Sequence, residues 1–281
     1  MLVRRCRDVD EFLARAGEFL AAREAEHNLI LGLSSSLRRQ SRMYGEDPYL
    51  AVVEADSQVV AAALRTPPHN LVLSEIDDQD AIEPLVVDVH DVFEALPGLL
   101  APSDVAARFA RAWEAATGVG GHRVLAERAF RAERVVPPRR VAGRMRPYRS
   151  SDRELAVRWL DAFTAEALPE PPPEPSDRWL DRRLAEPEGS VVLWEDGEPV
   201  SLAAAGGPTP NGIRIGPVYT PPELRGRGYA SALVAELTRV QLEGGRRFCF
   251  LFTDLANPTS NRIYQRVGYE PVTDVDQWSF A

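Results

Sequence analysis

The chain has 281 residues, of which 33 are basic and 42 acidic, giving a formal net charge of −9. This length suits two domains of about 140 residues each, and the acidic balance argues against nucleic acid as a partner because phosphate binding needs a basic surface. All basic residues are arginine, which excludes lysine-based catalysis. No apolar run reaches the length of a membrane span, and the two cysteines, Cys6 and Cys249, suggest neither a disulfide framework nor a metal site. We therefore expect a cytoplasmic protein without metal or membrane contact.

In chain order, the first recognisable feature is a repeated hairpin. Glu54–Asn70 aligns with Trp194–Pro210 at a shift of 140 positions, and both segments predict a strand, a tight polar turn, a second strand and a Pro-containing loop. This pattern indicates an internal duplication; the alternative is two unrelated hairpins of similar composition. The proline-rich stretch Val135–Arg140 lies between the two copies and predicts domains at residues 1–138 and 142–281.

Helices alternate with strands along the second half, which predicts a mixed α/β domain. The apolar periodicity and the flanking turn residues predict helices at Arg153–Ala167, Asp177–Ala185, Gly228–Glu243 and Pro258–Val267, and strands at Gly143–Tyr148, Ser190–Glu195, Pro199–Gly206, Ile213–Tyr219, Arg247–Thr253 and Asp274–Phe280.

The junction Arg225–Ser231, with the sequence RGRGYAS, connects a predicted strand to a predicted helix. Its two glycines let the backbone turn tightly, and the amides of residues 226–231 have no intrahelical partners. Together with the helix dipole, these amides predict an anion site suited to a diphosphate. One alternative is a dinucleotide site with Asp254 as the ribose-binding acid, although Ser231 occupies the position of the last glycine in the Rossmann fingerprint G-x-G-x-x-G. An Arg/Gly surface turn without ligand is the other.

The segment Asn257–Val272, with the sequence NPTSNRIYQRVGYEPV, predicts a capped helix. Asn257 is a suitable N-cap, and Pro258 suits the first helical position. Asn257, Asn261 and Tyr264 share one face of this helix at spacings of i, i+4 and i+7. These residues could bind a ligand or take part in chemistry. The alternatives are that Asn257 only caps the helix and that Tyr264 is a core residue.

These two segments, in this order, resemble the two signatures of the GNAT superfamily of acyl-CoA-dependent N-acyltransferases. Arg225–Ala230 is similar to R/Q-x-x-G-x-G/A, and Asn257–Val272 is similar to the second signature. The resemblance covers residues 142–281 and implies the GNAT fold, a mixed, mostly antiparallel sheet flanked by helices, in two tandem copies. It implies acetyl-CoA as cosubstrate, with the pantetheine arm along the backbone of Val218, Tyr219 and Thr220. The other implied binding residues are Arg225, Gly226, Arg227, Gly228, Tyr229, Ala230, Ser231, Asn257 and Asn261.

Acetyl transfer to an amine needs a neutral amine, a polarised carbonyl and a proton for the departing thiolate. Neutralising an alkyl ammonium at pH 7 costs about 4–5 kcal/mol, so a base that accepts the proton of the amine would favour the reaction. We expect Glu166, Asp254 or a chain of waters to be this base. Tyr264 is the predicted donor to the thiolate. We expect direct attack by a primary amine of a small molecule or peptide, in a monomer or homodimer. The alternative is a non-catalytic acyl-CoA-binding sensor or scaffold, which the lack of an obvious base favours.

The first half lacks the counterpart of this junction. Ile76–Pro84 has four carboxylates and no glycine, which would repel a diphosphate, and Trp113 lies near the position corresponding to Tyr264. We therefore predict that residues 1–138 form a degenerate GNAT-like domain without cofactor; an unrelated partner-binding module is the alternative.

Overall fold

The computed structural model describes residues 1–280, which form two compact units. The first comprises residues 1–128 together with the C-terminal residues from Thr273, and the second comprises residues 129–272. These bounds differ from the predicted domains, 1–138 and 142–281. The reason is strand pairing, because Val275–Ser279 pairs antiparallel with Gly98–Pro102 of the first unit.

The helices and strands of the first half follow an alternating order. They are β1 (Leu2–Arg5), α1 (Val9–Ala22), α2 (Asn28–Arg39), β2 (Tyr49–Ala55), β3 (Gln58–Arg65), β4 (Leu71–Leu73), α3 (Ile82–Val92), β5 (Gly98–Pro102), α4 (Ser103–Thr117) and β6 (Gly121–Ala132).

The second half repeats this order. Its elements are β7 (Arg144–Pro147), α5 (Arg153–Ala167), α6 (Ser176–Ala185), β8 (Ser190–Asp196), β9 (Glu198–Gly206), β10 (Gly212–Tyr219), α7 (Tyr229–Glu243), β11 (Phe248–Asp254), α8 (Pro258–Val267) and β12 (Glu270–Phe280). The bounds of α5 and α8 are those predicted from the sequence, and the mixed α/β class is confirmed.

Strand order also repeats between the two units. The first unit has the order β1-β2-β3-β4-β5-β12, and the second has β7-β8-β9-β10-β11-β6. In each, a hairpin such as β2–β3 or β8–β9 is antiparallel, whereas the pairs β4–β5 and β10–β11 are parallel. The sheets are therefore mixed and mostly antiparallel, and the shared topology supports the duplication suggested by the hairpin alignment.

Apolar side chains cover both faces of the sheet in the second unit. One cluster packs α7 against β9, β10 and β11 and includes Leu233 and Leu237. The other packs α5 and α6 against the opposite face and includes Trp159 and Leu180. Because α7 is fixed by this packing, its N-terminus is held at the end of β10, where the predicted anion site lies.

Candidate functional site

The loop between β10 and α7 is shaped by two glycines in left-handed backbone conformations. Gly226 has φ +78° and Gly228 has φ +90°, a region that side chains with a Cβ atom occupy at a cost of roughly 1–2 kcal/mol. A Cβ atom at Gly228 would also lie 2.9 Å from Cγ1 of Val141. The sequence therefore needs glycine at position 228 for both conformational and steric reasons.

The backbone amides of residues 226–231 donate to no acceptor within the described residues. The first helical hydrogen bond of α7 runs from the Ala232 amide to the Gly228 carbonyl at 3.0 Å, so the preceding N–H groups remain available. Free amides at a helix N-terminus, at the positive end of its dipole, form a suitable site for an anion. This is the geometry predicted for the junction.

A cavity of about 640 Å³ opens beside these amides. Its walls come from three segments: residues 137–142, the loop and first turn of α7 at residues 226–231, and Arg266 and Val267 near the end of α8. This volume is in the usual range for small-molecule sites. The contribution of residues 137–142 was not predicted, since that stretch was interpreted only as a linker.

Strands β10 and β11 separate beyond the first residues of their pairing. Their parallel register covers only Gly212–Arg214, and the register of β10 with β9 shifts between Ile215 and Val218. Val218 and Tyr219 then pair with β9 alone in the described ladders, so their other backbone edge is open. An open strand edge can accept an extended ligand by main-chain hydrogen bonding.

The predicted base Glu166 is in contact with the predicted cofactor-binding residue Arg225. Their Oε2 and Nη2 atoms are 2.6 Å apart, and the Tyr219 hydroxyl donates to Glu166 Oε1 at 3.3 Å. Burial, followed by the negative charge of Glu166, raises the pKa of Tyr219. Arg225 also donates from Nε to the Thr220 carbonyl at 2.8 Å. Arg225 therefore stabilises the loop through its hydrogen bonds to Glu166 and Thr220. Both carboxylate oxygens of Glu166 accept hydrogen bonds.

Asp254, Asn257 and Asn261 organise the turn between β11 and α8. The Asp254 side chain accepts from the Ala256 amide at 2.7 Å. Asn257 caps α8, because its Oδ1 accepts from the Ser260 amide at 3.0 Å, which confirms the predicted N-cap. Asn261 Nδ2 donates to the carbonyls of Asp254 and Asn257 at 2.9 and 2.8 Å. These contacts give all three residues a structural role in the turn.

Tyr264 packs its ring against aromatic neighbours. Its ring centroid lies 6.5 Å from that of Phe130 and 6.1 Å from that of Tyr269. Burial raises the pKa of Tyr264 to about 12, so the phenol is protonated at neutral pH. In the described part of the chain its hydroxyl has no hydrogen-bond partner, which leaves it available as a donor to a ligand. Phe130, on β6, was not foreseen because it lies far from Tyr264 in sequence.

Comparison with known proteins identifies a family domain in the second half of the chain. Residues 155–269 match the model of the Acetyltransferase (GNAT) family. The chain carries a GNAT acetyltransferase-family domain. No match was found among curated proteins.

Solved structures match the chain over nearly its full length at low sequence identity. A Drosophila protein shares 14% identity with a TM-score of 0.71, covering 99% of this chain and 98% of its own. A GCN5-related N-acetyltransferase from Sphaerobacter thermophilus shares 19% identity, with a TM-score of 0.62 and coverages of 99% and 94%. A tandem GNAT protein from the clavulanic acid biosynthesis pathway shares 11% identity, with a TM-score of 0.56 and coverages of 99% and 97%. The predicted GNAT fold in two tandem copies is therefore confirmed.

The first GNAT copy uses the corresponding region for internal contacts. Asp77 pairs with Arg23 at 2.6 Å, and the Asp78 side chain accepts from the Asp80 amide at 3.0 Å. Trp113, on the helix that corresponds to α8, is buried and stacks on Phe109 with centroids 6.1 Å apart. The first copy therefore shows neither the glycine loop nor a tyrosine at these positions, and its lack of a cofactor stays a prediction.

In the second GNAT copy, the predicted loop residues divide into backbone and side-chain roles. Gly226, Arg227, Gly228, Tyr229 and Ser231 line the cavity, and the Ala230 amide belongs to the same free set. The Tyr229 hydroxyl donates to Asp196 at 2.6 Å, so only its amide is free for a ligand.

No helix in residues 1–280 is long and apolar enough to cross a membrane, and the same residues contain no group of three or more potential metal ligands.

Proposed function

We propose that the protein is an acetyl-CoA-dependent N-acetyltransferase that transfers an acetyl group to a primary amine of a small molecule or peptide. The observation that carries this proposal is the set of free amides of residues 226–231, beside the open edge of β10, in a domain matched by the GNAT family. The free amides suit the diphosphate of an acyl-CoA, and the open backbone edge at Val218 and Tyr219 suits its amide-bearing arm.

The residues of the site have distinct roles in the proposed reaction. When bound, acetyl-CoA supplies the thioester whose carbonyl is attacked and whose sulfur departs as a thiolate. The loop amides hold the anionic end, and the free backbone edge of β10 orients the arm. Tyr264 is protonated at neutral pH because burial raises its pKa to about 12. It donates a proton to the leaving sulfur and regains one from the waters that take up the proton of the amine. The amine attacks directly, so the protein forms no covalent intermediate.

The attacking amine must lose a proton, and the contacts of Glu166 and Asp254 indicate which group is suited to accept it. Glu166 accepts hydrogen bonds from Arg225 and Tyr219, while Asp254 closes the turn before α8. Taking up a proton would weaken these contacts in both cases. We therefore favour ordered waters that lead to solvent as the proton acceptor, with Glu166 and Asp254 as the protein candidates. We further propose that the acceptor site needs no nucleic acid, metal or membrane, and that the protein acts as a monomer or homodimer in the cytoplasm.

A non-catalytic acyl-CoA sensor or scaffold is the second candidate, and the engagement of Glu166 and Asp254 in structural contacts favours it. A thiol-release assay with acetyl-CoA and a broad panel of small amines and peptides separates the two functions. Release of CoA that depends on the amine, with a matching acetylated product, supports the transferase. Tight binding of acetyl-CoA without turnover across the panel would support the sensor instead.

A further inference from the structure

The carbonyl of Tyr219, the last residue of β10, is held from the side of β9. The Ser201 hydroxyl of β9 donates to this carbonyl at 2.9 Å, and its oxygen lies 2.8 Å from the Thr220 hydroxyl oxygen. Since a serine hydroxyl has a single proton to donate, the Thr220 hydroxyl is the donor in the second contact. All three residues are buried, so this short chain of hydrogen bonds fixes the orientation of the Tyr219 carbonyl.

The same hydrogen bonds determine where the N–H group of Thr220 points. The peptide bond between Tyr219 and Thr220 is trans, so its carbonyl and its N–H point in opposite directions. Strands β9 and β11 flank β10 on opposite sides. With the carbonyl directed to Ser201 on β9, the N–H is directed to the side of β11, where the edge of β10 is open. This N–H donates to no acceptor among the described residues, so it is available to a ligand.

The peptide group that follows Thr220 is held by Arg225. Arg225 donates from Nε to the Thr220 carbonyl at 2.8 Å, and its Nη2 donates to Glu166 at 2.6 Å. The next residue is Pro221, which has no N–H group. This second peptide group therefore offers a ligand neither a free carbonyl nor an N–H, which leaves the Thr220 N–H as the donor at this end of β10.

The alignment of that donor decides whether it can bind the acyl donor. The arm of an acyl-CoA carries amide carbonyls, which can accept hydrogen bonds from an open strand edge. Hydrogen bonds weaken steeply when the donor is poorly aligned. The Thr220 N–H lies just beyond the ladder of β9 and β10, so side chains must fix its direction. Contacts that align it before the ligand arrives increase affinity by preorganisation.

We propose that Ser201 and Arg225 are positioning residues for the arm of the acyl donor. Ser201 orients the Thr220 N–H through the Tyr219 carbonyl. Arg225 fixes the following peptide group, and Glu166 holds the Arg225 guanidinium in place. Arg225 therefore acts through the backbone of Thr220 and not on a phosphate of the ligand. This inference rests on the proposed function, because it concerns the same cosubstrate.

Calorimetric titration with two ligands separates binding of the arm from binding of the phosphates. Acetyl-CoA contains both parts, whereas adenosine 3′-phosphate 5′-diphosphate is the part of CoA without the arm. The ratio of the two affinities therefore measures the contribution of the arm, and loss of stability alone would not change it.

Two variants remove the positioning contacts independently. Ser201→Ala removes the hydroxyl donor to the Tyr219 carbonyl. Arg225→Lys keeps the positive charge but replaces the two nitrogens that contact Thr220 and Glu166 with one. In each variant we expect the affinity ratio to fall about three- to tenfold, as for the loss of one aligned hydrogen bond. The affinity for the nucleotide without the arm should stay within about twofold of the wild type, which also reports that the variant is folded.

Thr238→Val is the matched control for Ser201→Ala. Thr238 is also fully buried, and its hydroxyl oxygen lies 2.7 Å from that of Tyr269, so the substitution removes a buried hydrogen bond outside the end of β10. It should leave the affinity ratio unchanged even where it lowers stability.

Three outcomes would contradict the proposal in different ways. An undiminished ratio in both Ser201→Ala and Arg225→Lys would overturn the inference alone. An equal loss of affinity for both ligands in Arg225→Lys would assign Arg225 to the phosphates and overturn its positioning role. Failure of the wild type to bind acetyl-CoA would overturn the proposed function as well.

Discussion

Replacing Gly228 by alanine tests whether the backbone of the α7 loop is the anion site. Alanine at φ +90° costs roughly 1–2 kcal/mol of stability, and its Cβ atom would lie 2.9 Å from Val141 Cγ1, so the loop must shift. A shift that misaligns even one amide–phosphate hydrogen bond, worth about 1.5–3 kcal/mol for a charged acceptor, weakens binding by roughly 10–150-fold. We therefore expect Gly228→Ala to bind acetyl-CoA at least tenfold more weakly.

Two matched variants separate the steric and conformational contributions. Gly197, in the turn between β8 and β9, has φ +75° and open space at its Cβ position, so Gly197→Ala should lower stability by a similar amount while leaving binding within about twofold. Val141→Ala combined with Gly228→Ala removes the contact and should restore part of the lost affinity. Calorimetry supplies the dissociation constants, and urea unfolding supplies the stabilities.

The outcome that would refute this reasoning is specific. A folded Gly228→Ala variant with wild-type affinity for acetyl-CoA would show that the loop amides do not hold the ligand. An equal loss of affinity in Gly197→Ala would attribute the effect to general destabilisation of the unit.

Three further predictions follow from individual side chains. Tyr264→Phe should bind acetyl-CoA within about twofold of the wild type but lose roughly 100-fold in turnover. Because the pKa of the Tyr264 hydroxyl is raised to about 12 in the folded state, the wild type should lose more stability than this variant between pH 10 and 12, as measured by urea unfolding. Asn257→Ala removes the α8 cap and should lower the free energy of unfolding by about 1 kcal/mol, whereas Arg262→Ala, an exposed control on the same helix, should change it by less than about 0.5 kcal/mol. Arg146 pairs with both Asp152 and Glu195 and holds the pKa of each carboxyl below its ordinary value. Stability from these pairs is therefore present above pH of about 4 and is lost as the pH falls through the depressed values. Because Glu195 still pairs with Arg146, Asp152→Ala should destabilise the protein by about 1–3 kcal/mol at pH 7, and urea unfolding should show that the variant loses less stability on acidification than the wild type.

Local sequence signals determined much of the second unit. The N-cap at Asn257 and the glycine after Val267 set the bounds of α8, because capping depends on residues within a turn of the helix end. The two glycines of the loop before α7 likewise predicted the free amides from local sequence, because whether a residue can adopt a positive φ depends on that residue alone. The hairpin repeat likewise indicated two copies, because strand and turn preferences are read over short windows.

Contacts between distant residues were decided only by the tertiary structure. The contact of Glu166 with Arg225 spans 59 positions, so no local pattern showed that the candidate base was already engaged. Phe130 reaches Tyr264 only because β6 lies beside β11, and this neighbour helps to create the environment that raises the phenol pKa.

The sequence by itself therefore determined the fold class, the tandem repeat and the loop suited to an anion, all of which depend on short-range preferences. The tertiary structure decided that residues from Thr273 complete the first unit, that β10 and β11 separate, and that the Arg139–Arg140 segment lies along the cavity. Strand pairing and cavity walls bring together segments far apart in the chain, and nothing in the local sequence specifies which distant segment will be the partner.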